Sequence, residues 1–191
     1  MHQSNVTEAN ITQLYEAHNF KGAFNALVET QQEQLLRVIL RIVGDHDEAL
    51  DLLQDTFIKI WQNLEKFEGK SKWSTWTYRI ASNEALMYLR KKKKWMTTSD
   101  PLVTEQLEAS SFFDGDEAMV ALYRALDTLP AKQRLVFQMR YFDELPYSEI
   151  AEITSTSEGA LKASYHHAVK KIESEVIRFK QFEDLSIKEA S

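Results

Sequence analysis

The chain has no cysteine, only three prolines and only five glycines in 191 residues. Without cysteine there is no disulfide framework and no thiolate metal site, a composition that suits a reducing, cytoplasmic compartment. So few prolines and glycines leave few turns, which predicts long helices with short connections. The period-two alternation of a half-buried strand is found nowhere, and no internal repeat is present. Long apolar runs are lacking too. The most apolar stretch, LLRVILRIVG at 35–44, is broken by Arg37 and Arg41 and has about half the length of a membrane span. The opening MHQSNVTEAN has no basic segment leading into an apolar core, so neither a secretory signal nor membrane insertion is expected.

Charge is plentiful, and its distribution is uneven. Residues 59–95 carry ten basic side chains against three acidic ones, although the whole chain has a net charge of -6. Residues 1–58 have three basic and nine acidic side chains, residues 96–130 one and seven, and residues 131–191 nine and ten. A basic segment set among acidic ones points to a local polyanion site, with the rest of the chain kept from non-specific binding. Residues 73–95 also hold three of the four tryptophans.

Two helical blocks flank a weak middle, which predicts an all-α chain. In the first block, apolar residues Leu35, Ile39 and Ile42, with Leu36, Leu40 and Val43 beside them, mark a helix buried over a wide arc. Gly44 stops it, and Asp45 with Glu48 three residues on reads as the capping box of a second helix. That helix is expected to bury Ala49, Leu53, Phe57, Ile60 and Leu64, leaving Asp51, Gln54, Asp55 and Ile58 on other faces. EGKS is a short loop, and a third helix starts near Trp73. Residues 97–116, rich in Ser, Thr and acid, read as a flexible linker. The second block has four helical segments, two of them following Pro130 and Pro146.

On a helix at 100° per residue, Trp73, Trp76, Thr77, Ile80, Ala81, Ala85, Met87, Tyr88 and Leu89 share one broad arc. Arg79, Ser82, Asn83, Leu86 and Arg90 fall opposite and lead into Lys91 to Lys94. A polar line with an amide at its middle and cations at its end fits a nucleic-acid strand, the cations holding phosphate and the amide reading a base edge. The plainer alternatives are a core tryptophan face and a solvated cationic helix end.

YSEIAEITSTSEGALKASYHHAVKKIE, residues 147–173, has helix-turn-helix form. Ile150, Ala151 and Ile153 precede a polar turn, and Leu161, Tyr165, Ala168 and Ile172 line the inner side of the second helix. Small Ala151 permits close crossing, and either Ser155 or Ser157 can cap the second helix. Ser157, Glu158, Ala160 and Lys162 near its start then point into a major groove. A plain helical hairpin is the bland alternative. His166 and His167 are adjacent, point about 100° apart and make a poor metal pair. DHDE at 45–48 suggests a metal-dependent hydrolase only weakly, since capping explains it and no second ligand cluster exists. No catalytic residue, metal site or cofactor is read from the chain.

Together the blocks DEALDLLQDTFIKIW, FEGKSKWSTWTYRIASNEALMYLR and ALDTLPAKQRLVFQMRYFDELPYSEIAEI resemble a bacterial sigma factor of the extracytoplasmic-function group of the sigma-70 family. The resemblance covers about residues 20–95 and 117–174. It implies an N-terminal extension at 1–19, sigma domain 2 at 20–96, a linker at 97–116, sigma domain 4 at 117–180 and a C-terminal tail at 181–191. It implies that Asp51, Gln54, Asp55 and Ile58 dock on the β′ clamp helices of core RNA polymerase. Phe67, Lys70, Ser71, Trp73, Trp76, Arg79, Asn83, Arg90, Lys91 and Lys92 would bind the −10 element, with a flipped base captured in a pocket of the loop running from Phe67 to Trp76 and contacted by Asn83. Ser157, Glu158, Ala160, Lys162, Ser164, His166 and His167 would bind the −35 element. Promoter DNA, the β flap and an anti-sigma factor complete the implied partners. The chain departs from the family where arginines are usual, at Ser164, His167 and Val169, and where a turn glycine is usual, at Ser155. A free-standing helix-turn-helix regulator of duplex DNA is the alternative; it leaves the basic aromatic helix without a task.

Overall fold

The computed structural model describes residues 7–98 and 117–189, all in helices and short connections, with no strand among them. It divides into two compact units, Met1–Val103 and Thr104–Ser191. The linker expected at 97–116 lies, from residue 99 on, outside the described residues.

The first unit contains α1 (Glu8–Glu16), α2 (Phe20–Val43), α3 (His46–Asn63), a single 3-10 turn (Leu64–Lys66) and α4 (Trp73–Thr98). Helix α2 ends where the chain reaches Gly44, whose φ of +80° closes the helix with its N–H donating to the Leu40 carbonyl. Asp45 then caps α3, its Oδ1 accepting the Glu48 N–H at 2.9 Å. Helix α2 is the spine of the unit, packing on α1, α3 and α4 through Leu27, Leu35, Val38, Ile39 and Ile42. Fully burying each such side chain contributes about 1.5–3 kcal/mol.

Three details of the helix faces differ from the expected arcs. Helix α3 buries Ala49, Ile60 and the following Leu64 as expected, but in its middle it buries Leu52 and Thr56 while Leu53 and Phe57 are only half-buried. Thr56 is tolerated there because its hydroxyl donates to the Leu52 carbonyl at 2.7 Å. Ser82, placed on the outer line, is 2% exposed and returns its hydroxyl to the Arg79 carbonyl at 3.3 Å. Met87, placed on the inner arc, is 38% exposed. Helix α1 adds a packed element at the N-terminus, with Ile11 completely buried.

The second unit contains α5 (Glu117–Asp127), α6 (Ala131–Tyr141), α7 (Tyr147–Thr154) and α8 (Glu158–Glu189). Ala125, Leu126, Leu129, Phe137, Ala168 and Ile172 form its core. Phe137 stacks on Tyr165, with ring centroids 5.7 Å apart. Arg134 ties α6 back to Asp127 at 2.6 Å, and Lys171 Nζ donates to the Thr128 carbonyl at 2.6 Å. Helix α8 continues to Glu189, through most of the stretch expected as a tail.

Candidate nucleic-acid interface

The polar line of α4 is exposed at Arg79, Asn83, Arg90 and Lys91. Lys92 is half-buried, its Nζ donating to Glu48 Oε1 at 2.6 Å and lying 5.8 Å from the Tyr88 ring centre. Burial, followed by the hydrogen bond to the Glu48 carboxylate, pushes the Tyr88 hydroxyl up to about 12. Lys59 and Glu84 form an ion pair that fastens α3 to α4 just beneath Asn83 in the sequence. The α4 surface is therefore held by ionic ties on its flank, and its cations beyond Tyr88 are not equivalent.

The aromatic end of α4 faces inward. Trp73 and Trp76 are 3% and 8% exposed, so both belong to the core rather than the surface. Phe67, half-buried, stacks on Trp73 with centroids 3.8 Å apart and planes inclined by 27°. Tyr15 meets Trp73 edge-on at 5.2 Å, and Trp76 meets Phe67 at 5.3 Å. Such contacts add about 0.5–1.5 kcal/mol each beyond burial. Between Phe67 and Trp73 the loop turns at Gly69, whose φ of +68° favours glycine. Lys70 is exposed and paired with Glu68, and Ser71 is half-buried. The Lys70 ammonium holds the Glu68 carboxyl below its usual range. The structure thus brings Phe67, Trp73 and Trp76 into one cluster, with Arg79 and Asn83 following on the solvent side of α4.

A second surface lies along α3. Asp51, Gln54, Asp55 and Ile58 are all exposed. Leu50 and Trp61, at helical spacing from Gln54 and Ile58, extend the face and went unnoticed in the sequence. Ile58 and Trp61 are 54% and 48% exposed, and an apolar stripe of this kind beside two aspartates fits a protein partner.

In the second unit, Ser155 takes the left-handed conformation at φ +52°, and its N–H donates to the Ala151 carbonyl at the end of α7. Ser157 Oγ accepts the Ala160 N–H at 3.4 Å, which identifies Ser157 rather than Ser155 as the side-chain cap. Ile150, Ile153 and Leu161 are buried, Ala168 is buried in the core shared with α5 and α6, and Ala151 is half-buried. Ser157, Glu158, Ala160, Lys162, His166 and His167 are exposed and Ser164 is half-buried. Lys162 lies 3.5 Å from Glu158 and 5.6 Å from the Tyr147 ring centre. No group of three or more side chains able to hold a metal lies among the described residues, and the rings of His166 and His167 are 6.2 Å apart. No helix of the described residues is long and apolar enough to cross a membrane.

The side chains that sequence reasoning missed are Glu8, Thr12 and Tyr15 of α1, which reach the loop and the start of α4. Thr7, which accepts the Asn10 N–H as the N-cap of α1, was the available local signal.

Sigma-70 region 2 matches residues 27–95, and Sigma-70, region 4 matches residues 119–172. The chain is 32% identical over 158 residues to the ECF RNA polymerase sigma factor SigW of Bacillus subtilis, covering 76% of this chain and 84% of that one. It is 31% identical over 169 residues to the RNA polymerase sigma-H factor of Pseudomonas aeruginosa, covering 80% and 86%. It is 30% identical to the ECF RNA polymerase sigma-E factor of Escherichia coli, covering 81% and 86%. Among solved structures, the sigma factor RpoE in complex with the anti-sigma factor NepR from Bartonella quintana has the same fold. Its TM-score is 0.66 at 24% identity, covering 80% of this chain and 96% of that one. CnrH in complex with the cytosolic domain of CnrY gives 0.64 at 19% identity, covering 89% and 96%.

Proposed function

The chain belongs to the sigma-70 family, in its extracytoplasmic-function group, and from that premise we propose how its surfaces divide the work. It is an alternative sigma factor that directs transcription initiation, with core RNA polymerase and promoter DNA as its partners. The α3 face of Asp51, Gln54, Asp55 and Ile58 docks on the β′ clamp helices, with Leu50 and Trp61 widening the apolar contact. Phe67, Lys70, Ser71, Arg79, Asn83, Arg90, Lys91 and Lys92 take up the unpaired −10 strand. Trp73 and Trp76 act there from within the core, as the floor on which Phe67 rests. In the second unit, the start of α8 from Ser157 to Lys162, with Ser164, His166 and His167 further along, enters the major groove at the −35 element, and the unit meets the β flap. The chain catalyses no reaction of its own, works in the cytoplasm and is restrained by an anti-sigma factor.

The observation that carries this reading is the exposed line of Arg79, Asn83 and Arg90 leading away from a packed aromatic cluster. Phosphate contacts and an amide at a base edge are what a melted strand offers and requires. Mapping transcription starts from genomic DNA with core RNA polymerase, with and without the chain, tests it. A discrete set of new starts is expected. Failure to bind core polymerase, together with tight specific duplex binding by the chain alone, would favour a free-standing regulator instead.

A further inference from the structure

Discrimination between bases requires the reading loop to be held within about 0.5 Å of one geometry. The loop from Phe67 to Lys72 has little of its own to hold it: it turns at Gly69, and the Glu68–Lys70 pair stands in solvent. The Phe67 ring rests on Trp73 and Trp76, and the side-chain hydrogen bonds at the loop's two ends come from α1. Glu8, Thr12 and Tyr15, spaced by four and three residues, lie on one face of that helix. At the loop's entry the Tyr15 hydroxyl is 2.9 Å from the Phe67 carbonyl and 3.3 Å from the Glu65 carbonyl. At its exit Thr12 Oγ1 accepts the Trp73 Nε1–H at 3.0 Å, and Glu8 Oε1 accepts the Ser74 N–H at 2.9 Å and the Ser74 hydroxyl. Fully buried Ile11 seats α1 on the unit. The region 2 match begins at residue 27, so α1 lies outside it.

We infer that α1 is a clamp on the base-reading loop, and that Glu8, Thr12 and Tyr15 are positioning residues that sharpen −10 discrimination without touching DNA. The inference rests on the reading of Phe67 to Lys72 as the −10 loop. Glu8 also places a carboxylate at the amide end of α4, where the helix dipole favours it. Fixing the loop at both ends means that loss of one tie widens the ensemble of loop positions, so the right base loses more than the wrong ones.

The test uses holoenzyme assembled from core RNA polymerase and the full chain, either wild type, Tyr15→Phe or Thr12→Val. Each is offered a pool of short single-stranded DNA of randomised sequence, and the retained DNA is sequenced. Tyr15→Phe keeps the ring against Trp73, and Thr12→Val keeps the side-chain shape; should either fail to fold, the other carries the same expectation. Wild type is expected to enrich particular bases, and each variant to weaken that enrichment about three- to tenfold, the effect of losing one hydrogen bond. Assembly with core and total DNA retained are expected to stay near wild type, while the melting temperature falls by several degrees, as the loss of one internal hydrogen bond requires. Unchanged enrichment in both variants overturns the inference and leaves the −10 reading standing. Loss of DNA retention in parallel with base preference also overturns it, since it shows a structural role only. A wild type that enriches no base overturns the −10 reading itself.

Discussion

Lys92 Nζ lies 2.6 Å from Glu48 Oε1, joining the cationic end of α4 to the first turn of α3. The pair is partly shielded and lies beside the Tyr88 ring, so Lys92 belongs to a small cluster rather than a solvated run. Lys91, exposed next to it, does not share that position. Each phosphate contact on a single strand contributes about 0.7 to the slope of log affinity against log salt. Lys91→Ala is therefore expected to lower that slope for promoter-strand binding by about 0.7, and Lys92→Ala by less than half as much. Equal slopes for the two variants would show that Lys92 leaves Glu48 on binding.

The same cluster makes stability depend on alkaline pH. The folded protein holds the Tyr88 hydroxyl up to about 12, above the unfolded value of about 10. A raised folded value favours the protonated form in the folded state. Its contribution is fully present below about pH 10 and is lost as pH rises towards 12. Urea midpoints measured at pH 9 and pH 11 are expected to fall further for wild type than for Tyr88→Phe. An equal fall would mean that Glu48 and burial do not hold the proton.

Ser155 bears a Cβ at φ +52°, where a non-glycine residue costs about 1–2 kcal/mol. Glycine's greater freedom in the unfolded chain returns part of that advantage. Ser155→Gly should stabilise the second unit by about 0.5–1 kcal/mol, and Ser155→Val should destabilise it by a similar amount or more. Urea denaturation followed by circular dichroism checks this. No gain from glycine would show that the turn is unstrained.

Asn83 is exposed on α4 between Arg79 and Arg90, and its amide has one donor and one acceptor side to offer a base. Asn83→Ala is expected to remove about 1–3 kcal/mol of discrimination at one −10 position while leaving core binding intact. Transcription from templates substituted at each −10 position reads this directly. A preference identical to wild type would remove Asn83 from the reading surface.

The fold was legible where the determinants are local. Gly44 and Asp45 punctuate α2 and α3 within four residues of the break, the Asp45 carboxylate taking the Glu48 N–H, while the Glu48 side chain expected to complete a capping box reaches Lys92 instead. The spacing of Ile150, Ala151, Ile153, Leu161 and Ala168 likewise carries the helix-turn-helix without distant help. What was misread depends on polar bonding that apolar periodicity does not register. Thr56 is buried with its hydroxyl bonded to the Leu52 carbonyl of its own helix, where the apolar pattern favoured Leu53 and Phe57. Helix α1 has few apolar residues, and beside buried Ile11 it is held by bonds reaching from Glu8, Thr12 and Tyr15 to residues fifty or more positions away. At the candidate interface, the outward line of Arg79, Asn83 and Arg90 followed from periodicity alone. The inward side of Trp73 and Trp76 followed from it too, but not their partners Phe67 and Tyr15, which come from other elements.

Strand opening is the central claim, and permanganate reactivity of thymines in duplex promoter DNA measures it most directly. With core RNA polymerase and the chain present, thymines around the −10 element are expected to become reactive, and Asn83→Ala or removal of the chain to suppress that reactivity. Thymines that stay protected in a holoenzyme bound to the promoter and competent to retain DNA would contradict the account.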